Sequence, residues 1–386
     1  MEHRVRTDWA QVILLWVTGL FAAAQFGKVS LIFEALGATY DRPEPVLALV
    51  VSAVGVAGIF LGAVAGMGAG RFGPRPVLLT ALLTGGALSM AQSLLPPFPV
   101  LIGLRLLEGV THLAIVVAAP VLMARISSLR DQPMVMALWA SFFGVSFALS
   151  ALLLPVLVGI GGLGAAWMLH GLAFWALAAL VWRMVAPIGP SSTPWPGFVA
   201  AHRAIYSDPH RLAPALGFFW HTLIFVALLT FLAPFVAGHL PVPLVASVLP
   251  LTALGGTFLA GWLARRYSVF VILRVSYITT VIGMVGLLLL PQIAQPWLAF
   301  LTFVSIGLVP GASFAAIPAL NDTSVAQAEA NGALAQLGNV GTSAGSPIFA
   351  AAMAVGGLAG LVAITVVIMA AGLVSILWIG GRVAQR

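Results

Sequence analysis

The chain has 386 residues, of which 61% are hydrophobic and only 7% charged. Soluble domains carry about 25% charged residues, so the composition excludes a soluble enzyme. Cysteine is absent, which removes disulfides and thiolate metal sites. The formal net charge of +7 is spread over connections instead of clustered, which argues against a nucleic-acid partner and for membrane topology.

Apolar stretches of about 20 residues, long enough to cross a bilayer, recur along the whole chain. Twelve are counted, at 10–36, 44–67, 76–94, 97–124, 133–159, 163–187, 212–238, 242–264, 269–291, 295–318, 328–354 and 357–381. The expected fold class is an all-α membrane protein with twelve transmembrane helices.

The first span, AQVILLWVTGLFAAAQFGKVSLIFEAL, holds the chain's only lysine, Lys28. A lysine near the bilayer centre costs roughly 2.5–3.5 kcal/mol on insertion scales. The default reading of such a group is a site on a solute or ion pathway with a partner elsewhere. Gln25 lies one turn earlier on the same face and is a candidate polar ligand. The bland alternative is a lysine that snorkels outward, near Glu34. The segment ending in AAAQ resembles a secretory leader, but hydrophobicity resumes in VSLIFEAL, so the span is read as retained.

Span four reads VLIGLRLLEGVTHLAIVVAAPVLMAR. Arg105, Glu108 and His112 are spaced i, i+3, i+7 and share one helical face. By rise per residue, Arg105 lies ~8 Å and Glu108 ~12 Å inside the external boundary. Lys28 lies about 24–27 Å from the cytoplasmic start of span one, in a core of ~30 Å, so Lys28 and Arg105 sit at similar heights. Two cations with one carboxylate suggest an anion site: Arg supplies a planar fork and Lys a point charge. Glu108 and His112 are the candidates for a coupled proton. The alternative is a permanent Arg105–Glu108 pair that only positions helices. In span five, Trp139, Ser141 and Phe143 are weaker candidates. His170 in span six is expected to be structural.

The one long polar connection, from Ala186 to Leu212, separates six spans from six. The expected domains are residues 1–187, a cytoplasmic linker at 188–211, and residues 212–386. In span seven, Trp220 and His221 follow Phe218 and Phe219, giving either an aromatic cavity wall with one histidine or a satisfied core histidine beside lipid-facing aromatics. Span eleven carries a polar stripe of Gln336, Asn339, Thr342 and Ser343. These residues bind solute or bond across helices. Asn321, Asp322 and Glu329 lie near the tenth-to-eleventh connection, where they either pair with Arg71 or Arg75 as an inner gate or form a solvated loop.

Arginine placement orients the chain. Arg4, Arg6, Arg71, Arg75, Arg125, Arg130, Arg183, Arg203, Arg211, Arg265, Arg266, Arg274, Arg382 and Arg386 all fall on one side of twelve spans, and Arg42 falls on the other. The positive-inside rule places that side, and both termini, in the cytoplasm. The location is a plasma membrane, of the bacterial inner-membrane kind.

The halves repeat weakly. Gly66 aligns with Gly261 and Arg71 with Arg266, both at an offset of 195 (261 − 66 and 266 − 71). Parallel six-plus-six repeats with a pseudo-two-fold axis are a known transporter plan. Gly66-x-x-x-Gly70-Arg71-x-Gly73-Pro74-Arg75 resembles the G-x-x-x-D-R-x-G-R-R loop of the major facilitator superfamily. Arg105-Leu-Leu-Glu-Gly109 resembles that family's fourth-helix R-x-x-x-G motif, and NGALAQLGNVGTSAGSPIF its Gly-rich eleventh helix. The resemblance implies two six-helix bundles, with spans one and four lining a cavity. It also implies a conformational role for Gly66, Arg71 and Arg75. Two departures stand out. The family's loop aspartate is Gly70 here and Arg265 in the second half, so its charge relay is altered. The fifth-helix Gly-Pro motif of drug/proton antiporters is missing, since Gly144 to Pro155 reads GVSFALSALLLP.

Seven histidines are scattered without ligand spacing, so no metal is expected. No phosphate-binding Gly-Lys motif appears, and no cofactor or enzymatic activity is expected. The reading is a secondary active transporter of a small organic anion, proton-coupled and working by alternating access. The alternative is an exporter of drugs or larger amphipathic or anionic metabolites such as a siderophore. The expected partners are the solute, protons and the lipid bilayer, with the chain a monomer.

Overall fold

The computed structural model describes residues 6–42, 44–186 and 197–385. Arg4, Arg386 and residues 188–196 of the central connection lie outside the described residues, as does the side chain of Glu34. Every regular element among the described residues is a helix. The order is α1 (Trp9–Leu31), α2 (Phe33–Tyr40), α3 (Glu44–Phe72), α4 (Pro74–Ser93), α5 (Phe98–Arg125), α6 (Gln132–Ala140) and α7 (Phe142–Met184). Then follow α8 (Phe198–Tyr206), α9 (Pro209–Phe231), α10 (Ala233–Val236), α11 (Val242–Leu263), α12 (Val269–Leu289), α13 (Gln295–Leu320) and α14 (Ser324–Ala384).

Local chemistry accounts for the helix starts. Asp8 caps α1: its carboxylate accepts from the Gln11 backbone N–H at 3.2 Å and from the Gln11 side chain at 2.7 Å. The Asp8 backbone N–H itself donates to the Ile126 carbonyl at 3.1 Å. Asp208 and Ser268 cap α9 and α12 by accepting from the backbone N–H two residues on. Proline occupies the first turn of α4, α5, α6, α9, α11 and α13, where its missing N–H costs nothing.

Ten helices among the described residues are long and apolar enough to cross a membrane. Two are overlong: α7 has 43 residues and α14 has 61. Each contains one glycine in a backbone conformation closed to other residues, Gly162 (φ 70, ψ −177) and Gly357 (φ 53, ψ −129). These are reversals within apolar sequence. A Cβ on Gly360 would run into the carbonyl of Ala352, whereas residues eight apart in a straight helix are ~12 Å apart. Large apolar side chains stay exposed on the outer surface, among them Leu152, Ile160 and Val355, as lipid contact requires.

The chain forms two compact units. The first comprises 1–129, 142–203 and 323–336, and the second 130–141, 204–322 and 337–386. Neither is one continuous stretch, because α6 packs with α11 and α13 in the second unit while the first turns of α14 pack in the first. In the first unit α1 packs on α7 and α5, α3 on α5, and α4 on α5 and α7. Part of its apolar core consists of Val29, Val50, Leu101, Leu154 and Trp167. The second unit is built on α11–α13 and α12–α13 packing, around Tyr277, Phe303 and Phe349.

A small-residue seam ties α14 to α3 within the first unit. Gly62 faces Gly332 and Gln336, Gly66 faces Ala328 and Glu329, and Gly70 faces Val325. Both partners are spaced by four residues, one helical turn, so the backbones approach closely along the seam. At Gly70, where the family's loop carries aspartate, a Cβ would stand 3.1 Å from Val325 Cγ1. A carboxylate there would have to enter an apolar contact.

Candidate functional site

Three charged residues of the membrane-spanning sequence, Lys28, Arg105 and Glu108, converge inside the first unit. Lys28 Nζ donates to Glu108 Oε1 at 2.7 Å. Arg105 Nη1 donates to Glu108 Oε2 at 2.5 Å. Gln92 Nε2 donates to the same Oε2 at 2.8 Å. Lys28, Arg105 and Glu108 are all buried, at 2%, 0% and 0% exposure. The i, i+3 spacing on α5 puts Arg105 and Glu108 on one face, and that face meets α1 and α4.

The helix motif that contains Arg105 has a packing role as well. Arg105 Nε donates to the Val50 carbonyl of α3 at 2.9 Å. Four residues on, a Cβ at Gly109 would strike the Val54 carbonyl. The R-x-x-x-G spacing therefore lays one turn of α5 against one turn of α3. The arginine reaches a backbone acceptor and the glycine allows the approach.

Lys28 has two further partners. Its Nζ lies 3.0 Å from His170 Nδ1 and 3.2 Å from Ser89 Oγ. His170 Nε2 is 2.9 Å from the Phe21 carbonyl. A carbonyl only accepts, so Nε2 carries the proton and Nδ1 of the neutral ring is an acceptor. Ser89 spends its hydroxyl proton on the Trp167 carbonyl at 2.8 Å. The three ammonium protons of Lys28 therefore meet three acceptors, on α4, α5 and α7. Snorkelling toward the surface does not occur.

The cluster is not neutral. Two cations less one carboxylate (2 − 1) leave a formal charge of +1. Arg105 Nη2 is buried without a partner, and so are the side-chain oxygens of Gln25 and Gln92. Burying charge is costly unless it is paired and hydrogen-bonded. One donor of the arginine fork is thus left available in a site with excess positive charge.

The remaining residues singled out in the sequence are distributed as follows. Gln25 lies beside the cluster and donates to Thr111 Oγ1 at 3.2 Å. His112 contacts the Ala22 carbonyl through Nδ1 at 2.9 Å, and its ring stands edge-on to Phe26. It makes no hydrogen bond to Glu108. In the second unit, His221 stacks on Phe218 and Phe225, with centroids 5.7 and 4.9 Å away. Trp220 turns to another side, where Nε1 donates to Ser375 Oγ at 2.8 Å. Gln336 belongs to the α3 seam, donating to the Ile59 carbonyl at 2.7 Å and accepting from Ala63 N–H at 3.3 Å. Asn339 is half-buried in the second unit. Arg75 donates to the Trp182 carbonyl at 2.5 Å, Arg71 packs near the Phe72 ring, and Asp322 is exposed. Asn321 bonds to the carbonyls of His210 and Ile317.

Three members of the cluster were not singled out as ligands in the sequence: Ser89, Gln92 and His170. Ser89 and Gln92 are an i, i+3 polar pair, the spacing that marked Arg105 and Glu108, but their span also carries Thr80, Thr84 and Ser93. Among the described residues no group of histidines and acids could hold a metal ion.

Apolar helices of spanning length, two of them reversing at glycine, and a charged cluster sealed inside one unit define a multi-pass membrane protein. The chain belongs to the major facilitator superfamily, whose model matches residues 15–349. Among curated proteins, none matches this sequence. Solved structures share the fold at low identity. A proton:xylose symporter of this superfamily, XylE, bound to 6-bromo-6-deoxy-D-glucose, matches with a TM-score of 0.74 and 12% identity over 97% of this chain and 95% of its own. The human organic anion transporter MFSD10 matches with a TM-score of 0.72 and 17% identity over 95% and 98%. The E. coli fucose:proton symporter FucP matches with a TM-score of 0.73 and 11% identity over 97% and 99%.

Proposed function

We propose that this transporter-family protein moves a small organic anion across a plasma membrane by alternating access, coupled to protons. The chain crosses the bilayer twelve times with both termini cytoplasmic, counting the reversals at Gly162 and Gly357 as hairpins. Six-helix halves at 1–187 and 212–386 work as a monomer. The observation that carries the anion reading is the cluster of Lys28, Arg105 and Glu108, with formal charge +1 and a buried Arg105 Nη2 that lacks an acceptor. A carboxylate is the natural complement to an arginine fork. Among the structural neighbours, the two proton symporters, of xylose and fucose, support the coupling alone, and the organic anion transporter supports the solute class alone. Glu108 and His112 are the coupling candidates that the sequence names. Gln25, His221 and Asn339 are candidate solute contacts, while Trp220 and Gln336 hold helices together.

The test is uptake into proteoliposomes, after a thermal-shift screen of the purified protein against carboxylates, amino acids and cationic drugs. Carboxylates stabilise the protein if the proposal holds, and Lys28→Ala and Arg105→Ala each abolish uptake of the carboxylate so found. Stabilisation by cationic drugs alone, or near-normal uptake in both variants, overturns it.

A further inference from the structure

The three hydrogen bonds of Lys28 divide into two kinds. Ser89 is a hydroxyl without basic character, and Glu108 is held in its charged form by Arg105 and Gln92 on its other oxygen, so neither is the ready seat for a proton from Lys28. Glu108 accepts on both oxygens, from Lys28 on one and from Arg105 and Gln92 on the other. Ser89 already donates to the Trp167 carbonyl. His170 differs. Its Nε2–H is anchored on the Phe21 carbonyl, so Nδ1 presents its lone pair to Nζ at 3.0 Å, with Ser89 Oγ at 3.2 Å and its hydroxyl proton already spent on Trp167. A proton that crosses to Nδ1 breaks one Nζ–H bond and makes one Nδ1–H bond, leaving every other bond in the cluster in place. The two protons left on Lys28 still serve Glu108 and Ser89.

We propose that Lys28 Nζ and His170 Nδ1 are the two seats of a single exchangeable proton, and that this is the coupling proton of the transporter. The inference rests on the proton-coupled reading above and moves its carrier from Glu108 or His112 to a pair the sequence did not suggest. With the proton present, Lys28 and Arg105 against Glu108 leave +1, which attracts a monovalent anion. When the proton leaves the pair, Lys28 is a neutral amine and the cluster sums to zero (1 − 1). The pull on the anion goes with it. One proton therefore travels with one negative charge, and the coupled movement is electroneutral.

The surroundings support this assignment. On α5 the groups facing the pair are Arg105, Glu108 and His112, and Arg105 stays charged throughout. On α4 they are Ser89 and Gln92, which do not titrate. On α7 there is His170 itself, and α3 brings only the Val50 carbonyl to Arg105. His112 is set apart, with Nδ1 on the Ala22 carbonyl. Phe21 and Phe174 close over the His170 ring, with centroids 5.9 and 4.6 Å away. The ring is held in the orientation that the transfer requires.

The chain is well suited to a direct test because it contains one lysine. Purified protein carrying ζ-15N lysine, ring-15N histidine and δ-13C glutamate gives a single lysine side-chain signal, read by NMR as a function of pH without any solute. The expected result is one step from ammonium to amine at Lys28. A change at the His170 ring shares its midpoint, and the Glu108 carboxylate signal stays constant through it. In His170→Gln, which keeps a hydrogen-bond acceptor but cannot take a proton, the Lys28 step moves by about one pH unit or more. A Lys28 signal that remains ammonium over the whole pH range in which the protein is folded overturns the inference, and needs no variant to be seen. So does a step unmoved in a folded His170→Gln protein. If the titration is found at Glu108 or His112 instead, the pair is wrong and proton coupling stands. If no group in the cluster titrates, the coupled reading itself falls.

Discussion

Lys28 Nζ and Glu108 Oε1 meet at 2.7 Å across 80 residues of sequence, and both side chains are sealed from solvent. Removing one partner of a buried pair strands the other and typically costs ~3–5 kcal/mol. Glu108→Ala leaves two unpaired cations and is expected to lower the unfolding temperature of the detergent-solubilised protein markedly. Lys28→Met with Glu108→Gln removes opposite charges together and should destabilise less than the sum of the single changes. Additive single effects in that double-mutant cycle would mean that the two groups do not interact.

The α3–α14 seam makes a prediction with its own internal control. A Cβ on Gly66 meets the Ala328 carbonyl, while one on Gly68, two residues on, meets nothing within 4 Å. Gly66→Val is expected to lose thermal stability by an overpacking cost of about 1–3 kcal/mol. Gly68→Ala is expected to match the parent protein. Equal melting temperatures for Gly66→Val and the parent would show that the seam is not closely packed.

Gly162 separates backbone conformation from crowding. Its φ is 70 and ψ is −177, and a Cβ there has open space around it. Gly162→Ala should therefore cost about 1–3 kcal/mol from the backbone conformation alone. A change that leaves thermal unfolding unaltered would mean the reversal has another shape.

The Arg265–Asp131 pair in the second unit is 3.4 Å long, with side chains 31% and 24% exposed. Screened by solvent, such a pair is worth under about 1 kcal/mol, and Arg265→Ala should barely move the melting temperature. Gly261→Leu, in the same region, would run into Ala137 and Pro133 and is expected to cost more. Reversal of that order in a thermal-shift measurement would make the ion pair the stronger tie.

Much of the molecule can be read from residue order. Apolar runs of spanning length require helices because a bilayer offers no other partner for backbone N–H and C=O groups, and ten such helices are present among the described residues. The Gly66 loop and the R-x-x-x-G turn pointed to the right family because each is a local packing device. Gly66 meets the Ala328 carbonyl, and Arg105 and Gly109 meet carbonyls one turn apart on α3. Helical spacing placed Arg105 and Glu108 together, and rise per residue placed Lys28 at their height. Trp220 and Gln336 were legible as polar or aromatic marks but not as to direction. Only the packed helices turn Trp220 toward Ser375 and Gln336 toward Ile59.

Sequence alone determined the class of solvent, the helical content and the existence of a costly charge at Lys28, because each follows from composition or from spacing along one helix. The tertiary structure decided which groups share that charge. Ser89, Gln92 and His170 come from two other helices, and His170 resembles any core histidine until the Phe21 carbonyl fixes its tautomer and leaves Nδ1 facing Nζ. Hydrogen-bond partners across helices depend on packing geometry that no single helix encodes.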